Sequence, residues 1–136
     1  MKLFLCLFSI LVIVFPLYDV PKKKLFEIVG ISQIYLVKEE NNKQIFQEIE
    51  REDVKEGDLL KSDGVIIVFG DKPEEVEKKL GVQVVKIENV EEMQIVYGYT
   101  NLYSGFVYID GKQSNVQIVK KGEQTIAGFP LILSGF

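Results

Sequence analysis

The chain contains no histidine and a single cysteine, Cys6. These absences remove metal sites built on imidazole or paired thiolates, Ser-His and Cys-His nucleophile pairs, and any internal disulfide framework. Small residues are scarce where export would need them, because the only alanine is Ala127 and no glycine precedes Gly30. A cleavable signal peptide requires small residues ahead of its cut, so an uncleaved segment is the expectation here. A basic excess is missing too: 16 Lys and Arg stand against 20 Asp and Glu, a net charge of −4. What remains is 136 residues, 47% apolar and 26% charged, which suits one folded domain rather than a disordered chain or a multi-span membrane protein.

From Leu3 to Tyr18 the chain is apolar except for Ser9, with Pro16 near the end and Lys2 in front. As a helix this run spans about 24 Å, short of a hydrocarbon core of about 30 Å but able to cross where the bilayer thins. Lys22, Lys23 and Lys24 follow it, and the positive-inside rule alone would hold them in the cytoplasm. The expectation is a single-pass anchor in the cell membrane with the domain outside the cytoplasm, secretion after cleavage being the alternative. Residues 1–21 are thus read as anchor or signal segment, 22–64 as an N-terminal hairpin with an acidic connector, and 65–136 as a β-α-β4 region.

Ile34 to Val37 and Ile45 to Ile49 flank Glu39-Glu40-Asn41-Asn42-Lys43, a hairpin turn in which asparagine tolerates a positive φ. The acidic run from Glu50 to Asp58 lacks the ligand spacing and turn glycine of a calcium loop and reads as solvated connector. Val65 to Phe69 is an uninterrupted apolar strand, the signature of a sheet centre. Asp71 with Glu74 predicts a capping box, and Gly81 a left-handed stop, for a helix over Lys72 to Leu80 whose Val76 and Leu80 face a sheet. Glu74 with Lys78 and Glu75 with Lys79 are expected helix pairs.

Beyond Val82 the period is two. Val82 to Ile87 forms a strand, and Met93, Ile95, Tyr97 and Tyr99 share one face of the next. Phe106 to Ile109 meets Asp110-Gly111, a strong hairpin signal, and returns through Asn115 to Val119. The Gln124 to Leu133 stretch is expected as a strand broken by Gly128 and Pro130, at an edge or a bulge rather than in the centre of a sheet. The fold class is α+β: an antiparallel sheet of about 5–7 strands with one helix packed on it, plus an N-terminal hydrophobic helix and hairpin.

Tyr97-Gly98-Tyr99-Thr100 with Leu102, then Gly111-Lys112 with Asn115-Val116-Gln117-Ile118, then Gly128-Phe129-Pro130-Leu131-Ile132 resemble the C-terminal part of the YwmB-like proteins. The resemblance covers about Val65 to Phe136. It implies an exported or membrane-anchored protein of a spore-forming Gram-positive bacterium, and half of a fold like that of the TATA-box-binding protein. The region between Lys22 and Leu60 is shorter than that family's N-terminal half.

A minor-groove binder of that shape needs a basic face, and after Val20 the chain has fifteen basic against nineteen acidic residues. No nucleic acid is expected. The leading expectation is a tethered, non-catalytic binding or assembly module of the cell envelope, engaging an envelope protein and needing no cofactor or metal. Its candidate interaction surface is Tyr99, Leu102, Tyr103 and Phe106, with Tyr103 the most exposed. Tyr97, Phe106 and Tyr108 can equally fill a core beneath the helix. Asp71, Gly81, Asp110, Gly111, Gly128 and Pro130 are expected at turns, and Asn115 as a structural partner of loop backbone. The alternative is a carboxylate-based enzyme or a small-ligand-binding domain.

Overall fold

The computed structural model describes residues 23–55 and 62–131. The anchor reading of Leu3 to Tyr18, the end of the acidic run and the Ile132–Leu133 end of the last expected strand lie outside them. Among the described residues no helix is long and apolar enough to cross a membrane.

A 3-10 turn over Lys23–Glu27 leads into β1 (Ile31–Glu40) and β2 (Lys43–Ile49). Their connection is Asn41-Asn42, both with positive φ (51° and 64°), the geometry that continues strand twist through a two-residue hairpin. Then come β3 (Gly64–Phe69), α1 (Pro73–Leu80), β4 (Gln83–Val90), β5 (Met93–Tyr99), β6 (Val107–Ile109), β7 (Lys112–Ser114), β8 (Val116–Lys121) and β9 (Gln124–Phe129). Seven of these strands make one antiparallel sheet in the order β2-β1-β3-β9-β8-β5-β4, and β6 with β7 forms a separate hairpin. The α+β class expected from the pattern is therefore what the chain adopts. The division expected at residue 64 runs through this single sheet, since β1 pairs with β3 along its length.

All six residues of β3 are buried, and register explains why. Ile34, Ile67, Ala127 and Ile118 lie in one cross-strand row beneath Val76 and Leu80 of α1. Val37, Ile66, Val68 and Ile126 form a second buried cluster on the opposite side, with Tyr35 and Phe46 packed against it. A strand with apolar neighbours on both faces reads as a continuous apolar run.

Three expectations are corrected. First, β9 is the middle strand of the sheet and runs unbroken through Gly128, which pairs with Ile66 and Gln117. Pro130 falls one residue past the ladder, so its missing N–H breaks no strand pairing there. Second, the return from Asp110-Gly111 is two strands: β7 pairs β6, β8 pairs β5 and β9, and Asn115 is the break between them. Asp110 and Gly111 do make the expected turn, with φ of 52° and 82°.

Third, Asp71 caps nothing. The residue before the helix is Lys72, with extended backbone and no side-chain cap, and Pro73 opens the first turn. Asp71 Oδ2 accepts from Lys79 Nζ at 2.7 Å, and the same ammonium donates to the Val29 carbonyl at 2.9 Å. Lys79 therefore turns to the strand side rather than to Glu75. Gly30, at φ 102°, sits where an added Cβ would collide with the Asp71 carboxylate, so the tie between helix and entering chain requires glycine there. Gly81 ends the helix as expected, in the left-handed region at φ 64°.

Candidate interaction surface

The segment between β5 and β6 is organised by Asn115, which is fully buried. Its Nδ2 donates to the Thr100 carbonyl at 2.8 Å and to the Tyr103 carbonyl at 2.6 Å, while its Oδ1 accepts from the Thr100 N–H at 2.8 Å. The Asn115 N–H donates to the Gly98 carbonyl at 2.9 Å. Thr100, also buried, donates its hydroxyl to the Leu80 carbonyl at 2.6 Å, satisfying an orphan acceptor at the helix C-terminus, and accepts from the Leu102 N–H at 3.2 Å. Ser114 Oγ donates to the Gly98 carbonyl at 3.1 Å. Gly98 is confined in turn, because a Cβ there would strike the Val82 side chain and the Gln83 carbonyl. The structural role expected of Asn115 is thus what the geometry displays.

This network reverses the expectation for the loop aromatics. Tyr103 is 2% exposed, its ring centroid 5.7 Å from that of Phe129 in the helix-side core. The bond from Asn115 to its carbonyl draws the loop inward and takes the ring with it. Leu102 packs against the same core, and Tyr99 is half-buried at the end of β5, opposite Gln83. Phe106 and Tyr108 point out instead, 42% and 65% exposed, as an edge-on pair with centroids 5.5 Å apart. Of the four residues expected at the surface, Phe106 alone is exposed, and Tyr108 joins it.

Lys86 Nζ meets Asp110 Oδ2 at 3.0 Å, tying the β6–β7 turn to β4. That hydrogen bond first, and the Asp110 charge second, raise the Lys86 ammonium above its ordinary value. Beside it, the Tyr97 hydroxyl donates to Glu88 Oε1 at 3.1 Å and is itself raised, by burial first and by that bond second. Glu88 is a residue of β4.

Two features have no counterpart in the expectations. The edge strand β4 leaves Val84, Ile87 and Val90 exposed, with Met93 beside them. Alternation shows that such residues are strand residues, but only the strand order reveals that, among the described residues, no further strand pairs beside them. Between the first turn of α1 and β5 lies an open groove of about 710 Å³, floored by Val96 and Ile118 and rimmed by Lys72, Glu74, Glu92 and Lys120. Neither Tyr99 nor Asn115 lines it.

No family model, curated protein or solved structure matches the chain.

Proposed function

We propose that the chain is a membrane-tethered, extracytoplasmic docking module of the cell envelope, acting by contact rather than catalysis. The observation behind this reading is the exposed Phe106–Tyr108 pair, presented next to a loop that the buried Asn115 network holds in one shape. Aromatic pairs bury large area at small rotamer cost, and an ordered platform lowers the entropy lost on association. The Leu3 to Tyr18 run supports the tether, and the net charge of −4 favours a protein partner over nucleic acid. The resemblance to the YwmB-like proteins agrees with an envelope role in a Gram-positive spore-former.

Fusions of alkaline phosphatase and of green fluorescent protein after Gly135 test the topology. Phosphatase activity without fluorescence supports the reading, and the reverse pattern refutes it. Cross-linked capture from native cells tests the docking claim: an envelope protein held by the full chain should be lost both on removal of residues 1–24 and in Phe106→Ala/Tyr108→Ala.

The groove beside α1 supports a second reading, a small-ligand site with an apolar floor and a charged rim. Ligand-dependent thermal stabilisation that Val96→Trp abolishes would favour it.

A further inference from the structure

We infer that β4 is a self-association edge, at which two copies of this chain join their sheets antiparallel about a twofold axis at Ile87. Among the described residues nothing pairs with the outer side of β4, which closes one end of the seven-stranded order. An unpaired edge offers a row of backbone donors and acceptors, and proteins usually blunt it with charge or proline. This edge carries Lys86 and Glu88 but exposes Val84 (43%), Ile87 (51%) and Val90 (41%) around them.

The occupant follows from parity and charge. A twofold axis normal to the sheet sets each side chain opposite one on the same face, so residue positions can oppose only when their numbers are both odd or both even. With Ile87 on the axis, Lys86 of each copy faces Glu88 of the other, giving two unlike-charge pairs around an Ile87–Ile87 contact. Lys86 and Glu88 share the face of Tyr97 and Ile95, their register partners in β5, so both pairs lie on that face. The ammonium of Lys86 would then lie between Asp110 of its own chain and Glu88 of the second copy.

The other edge has no such solution. In β2 the charges are Lys43 and Glu48, of opposite parity, and no twofold register can set them against each other. Ile45 is nonetheless 45% exposed there, which makes β2 an internal control of similar apolarity. With the axis at Ile87, the bulge between Val84 and Lys86 leaves Lys86, Ile87 and Glu88 as the positions that oppose one another regularly. This pairing does not depend on the docking role proposed above.

The test uses the full chain in mild detergent, with Cys6→Ser to remove the native thiol. Residues on the axis of an antiparallel pair approach to about 4.5–5.5 Å between Cα atoms, within disulfide reach. Ile87→Cys should therefore yield an oxidised dimer, and Ile45→Cys should not. Equal yields, or none from Ile87→Cys with circular dichroism unchanged, overturn the proposal. Charge reversal gives a second, independent readout. Lys86→Glu alone and Glu88→Lys alone should each be monomeric in light scattering, since each sets like charges opposite. Mixing these two variants should restore a dimer containing one copy of each. Variants that dimerise separately, or a mixture that stays monomeric, contradict the assignment.

Discussion

Asn115 and Thr100 bond each other in both directions, the Thr100 N–H donating to the Asn115 Oδ1 and the Asn115 Nδ2 to the Thr100 carbonyl, each at 2.8 Å. Since the side chain is fully buried, its removal strands a donor and two acceptors where water does not reach. Asn115→Ala should cost about 3 kcal/mol, read as a lowered denaturant midpoint, because a buried unsatisfied group costs about 1–3 kcal/mol. Asn115→Asp keeps the shape but replaces the donor with an acceptor facing two carbonyls, and should be no more stable than the alanine variant. A loss below about 0.5 kcal/mol in both would show that the loop holds its shape by other means.

The β4–β5 turn carries a local misfit. Glu91 has φ 58°, in the left-handed region that glutamate tolerates poorly and asparagine well. Glu91→Asn should stabilise the protein by about 0.5–1 kcal/mol with the hairpin unchanged. An unchanged or lowered melting temperature would contradict this.

Glu77 gives a dependence at low pH. Burial first, and the charge of Glu74 second, raise its carboxyl above 4.5. A group raised in the folded state contributes stability below its unfolded value and loses that contribution as pH climbs through the folded one, so the ionised side chain is a liability at neutral pH. Glu77→Gln should be the more stable protein at pH 7, by about 0.3 kcal/mol given solvent screening. Its advantage should vanish near about pH 3, where the native carboxyl is protonated. An advantage constant with pH would assign the effect to packing.

At the alkaline end Tyr97 and Lys86 act together. Both are raised, so the stability they confer is intact below their ordinary values of 10.0 and 10.5 and is lost as pH rises beyond them. The melting temperature should fall above pH 10, and less steeply in Tyr97→Phe, which also gives up about 1 kcal/mol at neutral pH with the Glu88 bond. Parallel pH profiles would remove Tyr97 from the account.

Much of this architecture is legible in the residues because local signals agree. Asn41-Asn42 and Asp110-Gly111 permit the positive φ of tight hairpins, Val65 to Phe69 is apolar because β3 is covered on both sides, and Val76 with Leu80 marks the packed side of α1. Strand order is less legible, since pairing across the sheet is a long-range outcome. Pro130 sits close enough to β9 to suggest an edge, yet it lies just past the ladder of the central strand. The aromatic loop is illegible in the sequence for a similar reason. Tyr103 and Tyr108 are alike in composition and spacing, and it is Asn115, twelve residues from Tyr103, that decides which is drawn inward.

As proposed above, Phe106 and Tyr108 form the contact surface of a tethered envelope module. That role is tested most directly by a photo-crosslinking amino acid placed at position 108 of the full chain in native cells, with position 29, which is 75% exposed, as control. A discrete envelope-protein adduct from position 108, absent from position 29 and lost on adding Phe106→Ser, is the predicted result. The same diffuse products from both positions, or an adduct indifferent to Phe106→Ser, would contradict it.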